Sequence, residues 1–155
     1  MKLHCQKMSK VSNLKKNTFR IYRWRMKQKF LRKRVFVHLN CNSLLSKIEE
    51  IREFVLQSKP HIICFSESKL DSTVNDKDIA IDDYNLLRHD RTRNGGGVAC
   101  FIRNSIHFNQ RTDFPKNFEN IFIDILLPKT TPILSGLYIA HLQTQTFLNF
   151  YQAVL

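Results

Sequence analysis

Glu67 closes an apolar run, HIICFSE over residues 61–67. A carboxylate delivered to the end of a strand either faces water or holds something. Three other polar side chains stand at comparable places: Asn40 and Asn42 after the run VFVHL, and Tyr138 within ILSGLYIAH. If the strands carrying them are neighbours, these groups meet at one sheet edge, where sites in α/β sheets usually form. A carboxylate flanked by amides, with no lysine beside it on the strand, suits a hard cation. Mg²⁺ takes few carboxylates and keeps several waters. In phosphodiester cleavage such an ion polarises the phosphoryl oxygen and stabilises the leaving alkoxide. Spacing alone leaves both readings of Glu67 open, the solvated and the ligating.

The elements that must position these groups can be read from the periodicity. Residues 35–39 form a short β-branched strand. Residues 46–59 carry Ile48, Ile51, Phe54 and Val55 at helical spacing, with charges opposite. Ser43 or Ser46 is the expected cap, and Lys59 before Pro60 the expected end. HIICF returns as a buried strand, and this strand–helix–strand order predicts a crossover onto a shared sheet. A polar stretch to residue 83 reads as loop with a helical turn. YNLLR and VACFIR, joined by HDRTRNGGG, read as an antiparallel hairpin whose three glycines permit positive φ and close backbone approach. NIFIDILL and ILSGLYIAH form a second pair, and TFLNFYQAVL is expected to begin an apolar helix.

The net charge of +12 is unevenly spread. Residues 1–34 hold 13 Lys and Arg and no acid, whereas the remainder holds 12 against 13 acids, so the body is near neutral. Within FRIYRWRMKQKFLRKR, residues 19–34, basic and aromatic side chains alternate, and a helix there would put them on neighbouring faces. Such a tail could grip phosphates by charge and stack on bases, act as a nuclear-import signal, or remain a solvated arm. The four cysteines form no CxxC pair, and Cys64 and Cys100 lie in apolar runs as small hydrophobes, which favours a reduced, intracellular setting. No stretch reaches the ~18 apolar residues of a membrane span, and the basic N-terminus has no apolar signal-peptide core.

Four blocks in order, LNCNSLLSKIEEIREFV, KPHIICFSESKLD, YNLLRHDRTRNGGGVACFIR and FENIFIDILLPKTTPILSGLYIA, resemble the endonuclease domain of non-LTR retrotransposons. These domains belong to the endonuclease/exonuclease/phosphatase superfamily, together with apurinic endonucleases and deoxyribonuclease I. The resemblance covers about residues 35–150. It implies a partial four-layer α/β sandwich of the deoxyribonuclease-I type, roughly its N-terminal half, after a basic tail at 1–34. It further implies that Asn40 lines the site, that Asn42 lies near the metal, that Glu67 binds Mg²⁺ or Mn²⁺, and that Tyr138 approaches the scissile phosphate. Arg88, Arg91 and Arg93 of the hairpin would meet the DNA backbone, with Arg23, Arg25, Lys33 and Arg34 of the tail as further nucleic-acid contacts.

The chain departs from the family pattern in two places. Relatives often follow the tyrosine with a proline pair, where this chain has IAHL, so the alignment of Tyr138 is open by one residue. Residues 1–155 contain neither Gly-Asp-Phe-Asn nor Ser-Asp-His, which in the family orient the nucleophile and contact the phosphate. Removing one electrostatic donor costs about 10²–10³ in rate. The expectation is therefore a metal-dependent DNA endonuclease domain that is catalytically incomplete by itself, with an apolar sheet face left exposed and solubility correspondingly poor. The alternatives are a nucleic-acid-binding protein acting through its tail, or a gene remnant without function. The implied partners are DNA, RNA through the tail, and a reverse transcriptase downstream by resemblance alone. No membrane partner is implied, and the expected location is intracellular and nuclear.

Overall fold

The computed structural model describes residues 20–24, 34–113, 119–126, 133–139 and 146–152, with side chains for 34–113 and 119–126. The strands are β1 Arg20–Trp24, β2 Phe36–Asn40, β3 Ile62–Ser66, β4 Tyr84–His89, β5 Val98–Arg103, β6 Phe108–Arg111, β7 Asn120–Ile125, β8 Ile133–Ile139 and β9 Thr146–Gln152. Helix α1, Ile48–Ser58, follows a 3₁₀ turn at Leu45–Lys47, and the single turn α2 spans Asp76–Ile79. One sheet has the order β1-β2-β3-β5-β4, the other β6-β7-β8-β9.

The predicted crossover is present. β2 and β3 are parallel, with Asn40 opposite Ser66, and α1 connects them. Ile48, Ile51, Phe54 and Val55 are the buried face of α1. Burying side chains of this size stabilises by about 1.5–3 kcal/mol each. Glu49 and Glu50 in the first turn complement the helix dipole. The expected serine cap is not made: the N-cap is Lys47, and Ser46 Oγ donates instead to the Ser43 carbonyl. At the other end Lys59 adopts φ 43°, its N–H donating to the Val55 carbonyl at 2.8 Å, and Pro60 prevents continuation.

Alternation along the strands of the first sheet divides the core in two. Val37, Leu39, Ile63, Phe65, Ala99 and Phe101 pack towards α1, with Ile51, Phe54 and Val55. Phe36, Ile62, Cys64, Cys100 and Ile102 pack against Ile121, Ile123 and Ile125 of the second sheet. The layers are helix, sheet and sheet, a mixed α/β architecture that agrees with a partial deoxyribonuclease-I-like sandwich. Cys64 and Cys100 are direct cross-strand partners with their sulfurs 3.5 Å apart as free thiols.

Three expectations change. Residues 20–24 form a strand along the edge of β2, where an extended chain satisfies an otherwise open row of backbone groups. Ile21, Tyr22 and Trp24 favour that conformation over a helix. Thr146–Gln152 is likewise strand β9, paired antiparallel to β8, rather than the start of a helix. Its Thr, Phe and Tyr residues are strand formers, and an apolar run of this length has no period that separates the two. The described apolar side chains of β2, β3 and β5, finally, are buried on both faces of the first sheet, so the expected bare apolar face does not lie among them. Among the described residues the large apolar side chain in open solvent is Leu56, 73% exposed. The outer face of β6 and β7 is mixed: Asn109 and the Arg111–Asp124 ion pair are polar, and half-buried Phe122 stands among them. No helix of the described residues is long and apolar enough to cross a membrane.

Candidate metal and phosphate site

The parallel register carries β2 and β3 out of the sheet side by side. Beyond the ladder the Cys41 N–H donates to the Ser66 carbonyl at 3.0 Å, Ser43 N–H to the Glu67 carbonyl at 2.9 Å, and Leu44 N–H to the Ser68 carbonyl at 2.8 Å. These bonds fix the Asn40–Asn42 segment against Glu67. Asn40 and Asn42 are both exposed. The backbone here is strained: Asn42 has φ 46°, Ser43 φ 98°, Glu67 φ 55° and Lys69 φ 52°. A non-glycine residue held in such a region costs about 1–3 kcal/mol, and such positions cluster where a ligand is gripped.

The glycine turn between β4 and β5 closes over the Glu67 exit. Gly96 and Gly97 have φ 77° and 79°. A Cβ on Gly96 would lie 2.5 Å from Arg91 Cδ and 2.8 Å from Glu119 Oε2, and one on Gly97 would collide with Ser68 Oγ. Only glycine meets both the dihedral and the space requirement. The Gly96 N–H donates to Glu67 Oε2 at 2.9 Å, and the Gly97 N–H to Glu119 Oε2 at 2.7 Å. In return Ser68 N–H and Lys69 N–H donate to the Gly97 and Gly96 carbonyls at 3.1 and 3.0 Å. Glu67, half-buried, thus spends one oxygen on the turn. Among the described residues no ion pair joins its carboxylate to a cationic side chain.

In β8, Tyr138 pairs with Asn120, whose backbone N–H and carbonyl face His89 Nδ1 at 3.4 and 3.3 Å. Asn40, Glu67 and the glycine turn are joined by backbone hydrogen bonds, and residue 138 is linked to them only through its pairing with Asn120, which follows Glu119.

The arginines divide. Arg88 contacts Asp76 at 2.9 Å and Asp90 at 2.8 Å, and donates to the carbonyls of Val74 and Asp71, so it ties the loop before α2 to β4. A phosphate at Arg88 would compete with these partners. Arg91 Nε is 3.4 Å from Glu119 Oε1 with its side chain 46% exposed, and Arg93 is exposed. Arg34 is half-buried at the foot of β2. Arg23 lies in β1, opposite Val37. Arg25 and Lys33 fall outside the described residues.

Burial holds two groups near the site uncharged at neutral pH. Burial pushes the Cys41 thiol up to about 12. Burial also lowers His38 to about 4, and its Nε2 lies 3.2 Å from Ser66 Oγ. Glu67, with the amides of Asn40 and Asn42 on the adjoining segment, would suit Mg²⁺ or Mn²⁺, hard ions that retain water. The described residues hold no group of three or more His, Cys, Asp and Glu side chains arranged for a metal. Sequence reasoning did not single out Glu119, although it lies in the fourth resembling block, because a polar residue before a strand has no periodicity to mark it.

A family model described as the endonuclease/exonuclease/phosphatase family matches residues 37–152. A search among curated proteins finds no match.

Proposed function

The chain belongs to the endonuclease/exonuclease/phosphatase family, and from that premise we propose that it is the metal- and phosphate-binding part of a DNA endonuclease domain of the kind carried by non-LTR retrotransposons. The observation that carries the reading is the Glu67 carboxylate, held on one oxygen by the Gly96 N–H beside exposed Asn40 and Asn42 on a strained backbone. A divalent cation bound there supplies Lewis-acid polarisation of the phosphoryl oxygen and charge stabilisation at the leaving oxygen.

The chain's own residues divide the remaining work. Glu67 would hold the ion, with Asn42 as the neighbouring amide. Asn40 would donate an amide N–H to a phosphate oxygen, and Tyr138 would approach the scissile phosphate, the role that the family resemblance gives it. Arg91 and Arg93 present positive charge to the DNA backbone, and the basic residues before β2 extend that track. Duplex DNA is the proposed substrate and the nucleus the proposed location. Family motifs that supply the base and the imidazole, Gly-Asp-Phe-Asn and Ser-Asp-His, do not occur in residues 1–155.

The test is nicking of supercoiled plasmid in Mg²⁺, with the chain mixed with a C-terminal half that carries both motifs. The expected result is nicking by the wild-type mixture and a loss of at least about 10²-fold with Glu67→Ala. Equal nicking by the Glu67→Ala mixture removes Glu67 from the site.

A further inference from the structure

Glu119 is the one buried carboxylate among the described residues, 5% exposed. A buried charge is costly unless it is met by donors. Here it is met by the Gly97 N–H at 2.7 Å and by Arg91 Nε at 3.4 Å. The preceding amide, Gly96 N–H, goes to Glu67 Oε2 at 2.9 Å. Two successive amides of one left-handed turn thus each end on a carboxylate. One carboxylate follows β3 of the first sheet, and the other precedes β7 of the second. The turn is also clamped through its carbonyls by the N–H groups of Ser68 and Lys69, the two residues after Glu67. The placement of the turn and the placement of Glu67 are therefore one problem, and Glu119 is the anchor from the other sheet.

We propose that Glu119 is a positioning residue: by holding the Gly97 N–H it fixes the Gly96 N–H, which sets the Glu67 side chain so that its second oxygen faces the cation. This rests on the reading of Glu67 as a metal ligand and adds the group that orients it. A carboxylate suits the task because a charged acceptor makes a shorter and stronger bond to an amide than a neutral one. An apolar residue in its place would leave the Gly97 N–H unpaired in a buried turn.

The experiment uses the full chain as wild type, Glu119→Ala, Glu119→Gln and the remote core variant Ile51→Val. Amide hydrogen exchange at Gly96 and Gly97 is read by NMR, and Mn²⁺ affinity by the electron paramagnetic resonance signal of the free ion. Glu119→Ala is expected to speed Gly96 exchange by about tenfold or more and to weaken Mn²⁺ binding about tenfold, the scale of one lost hydrogen bond to a charged group. Glu119→Gln, which still offers an oxygen but a neutral one, is expected to fall between wild type and Glu119→Ala in both readouts, since a neutral acceptor retains about half of the bond. Ile51→Val is expected to change neither readout. Glu119→Asn, one methylene short of the amide, replaces the alanine variant if the latter does not fold, and is expected to deprotect Gly96 in the same way. Unchanged Gly96 exchange in the alanine or asparagine variant overturns the proposal, as does an equal effect from Ile51→Val. Faster Gly96 exchange together with Mn²⁺ binding that Glu67→Ala leaves intact supports the positioning role and refutes the metal reading, so the two failures are distinct.

Discussion

Acid should loosen this fold through His38 before it reaches the carboxylates. The ring is buried in β2, 4% exposed, and burial lowers it from 6.5 to about 4. The unfolded chain therefore binds a proton that the folded chain refuses anywhere between those two values. With more protons on the unfolded state, stability rises with pH across the window. The contribution is fully present above 6.5 and is lost as pH falls towards 4. At 1.36 kcal/mol per pKa unit, acidification from pH 7 to pH 5 costs about 2 kcal/mol, and the whole window about 3. His61 is also lowered by burial and carries the same sign. Asp71, lowered by its bond to Thr73, and Asp113, lowered by Arg111, lose their contributions only below the ordinary carboxylate range, outside this window. Urea midpoints at pH 7 and pH 5 measure the effect. With a slope of about 2 kcal/mol per molar, the wild-type midpoint should fall by ~1 M, and the fall should be mostly abolished in His38→Gln. A His38→Gln variant that keeps the wild-type fall, while His61→Gln loses it, would refute the assignment to His38.

Three further outcomes follow from the same geometry. Gly97→Ala places a Cβ at φ 79° against Ser68 Oγ and should cost about 2–4 kcal/mol by thermal or urea unfolding; adding Ser68→Ala should return the steric part and leave the dihedral part. Lys59→Gly relieves a side chain held at φ 43° and should gain about 0.5–1 kcal/mol by the same assay. Replacing the basic residues of 1–19 by Gln, which leaves β1 in place, should lower the salt slope of duplex DNA binding by about 0.9 for each phosphate that they neutralise; an unchanged slope places the contacts elsewhere.

The legible parts of this fold were those set by local pattern. The buried face of α1 at Ile48, Ile51, Phe54 and Val55 shows in the 3.6 periodicity, and the β2–α1–β3 crossover in the order of runs. The glycine turn was visible as a triplet, with its need for positive φ. Glu67 and Asn40 were visible because a polar side chain ends an apolar strand. The strands at 20–24 and 146–152 were not, because an edge strand is decided by a neighbour's open ladder rather than by its own period. Glu119 and the ties of Arg88 are tertiary facts: their partners are backbone amides, carbonyls and carboxylates brought close only by the fold. Arg88 looked like its exposed neighbours in the hairpin for the same reason.

The central claim is that Glu67 holds a divalent cation beside Asn40 and Asn42. Substoichiometric Mn²⁺ added to the ¹⁵N-labelled chain tests it directly, since a bound paramagnetic ion broadens the nearest amides first. The expected result is early loss of the Asn40, Cys41, Asn42, Glu67 and Gly96 signals, reversed by excess Mg²⁺ and absent in Glu67→Ala. Broadening centred elsewhere, or the same pattern in Glu67→Ala, would contradict it.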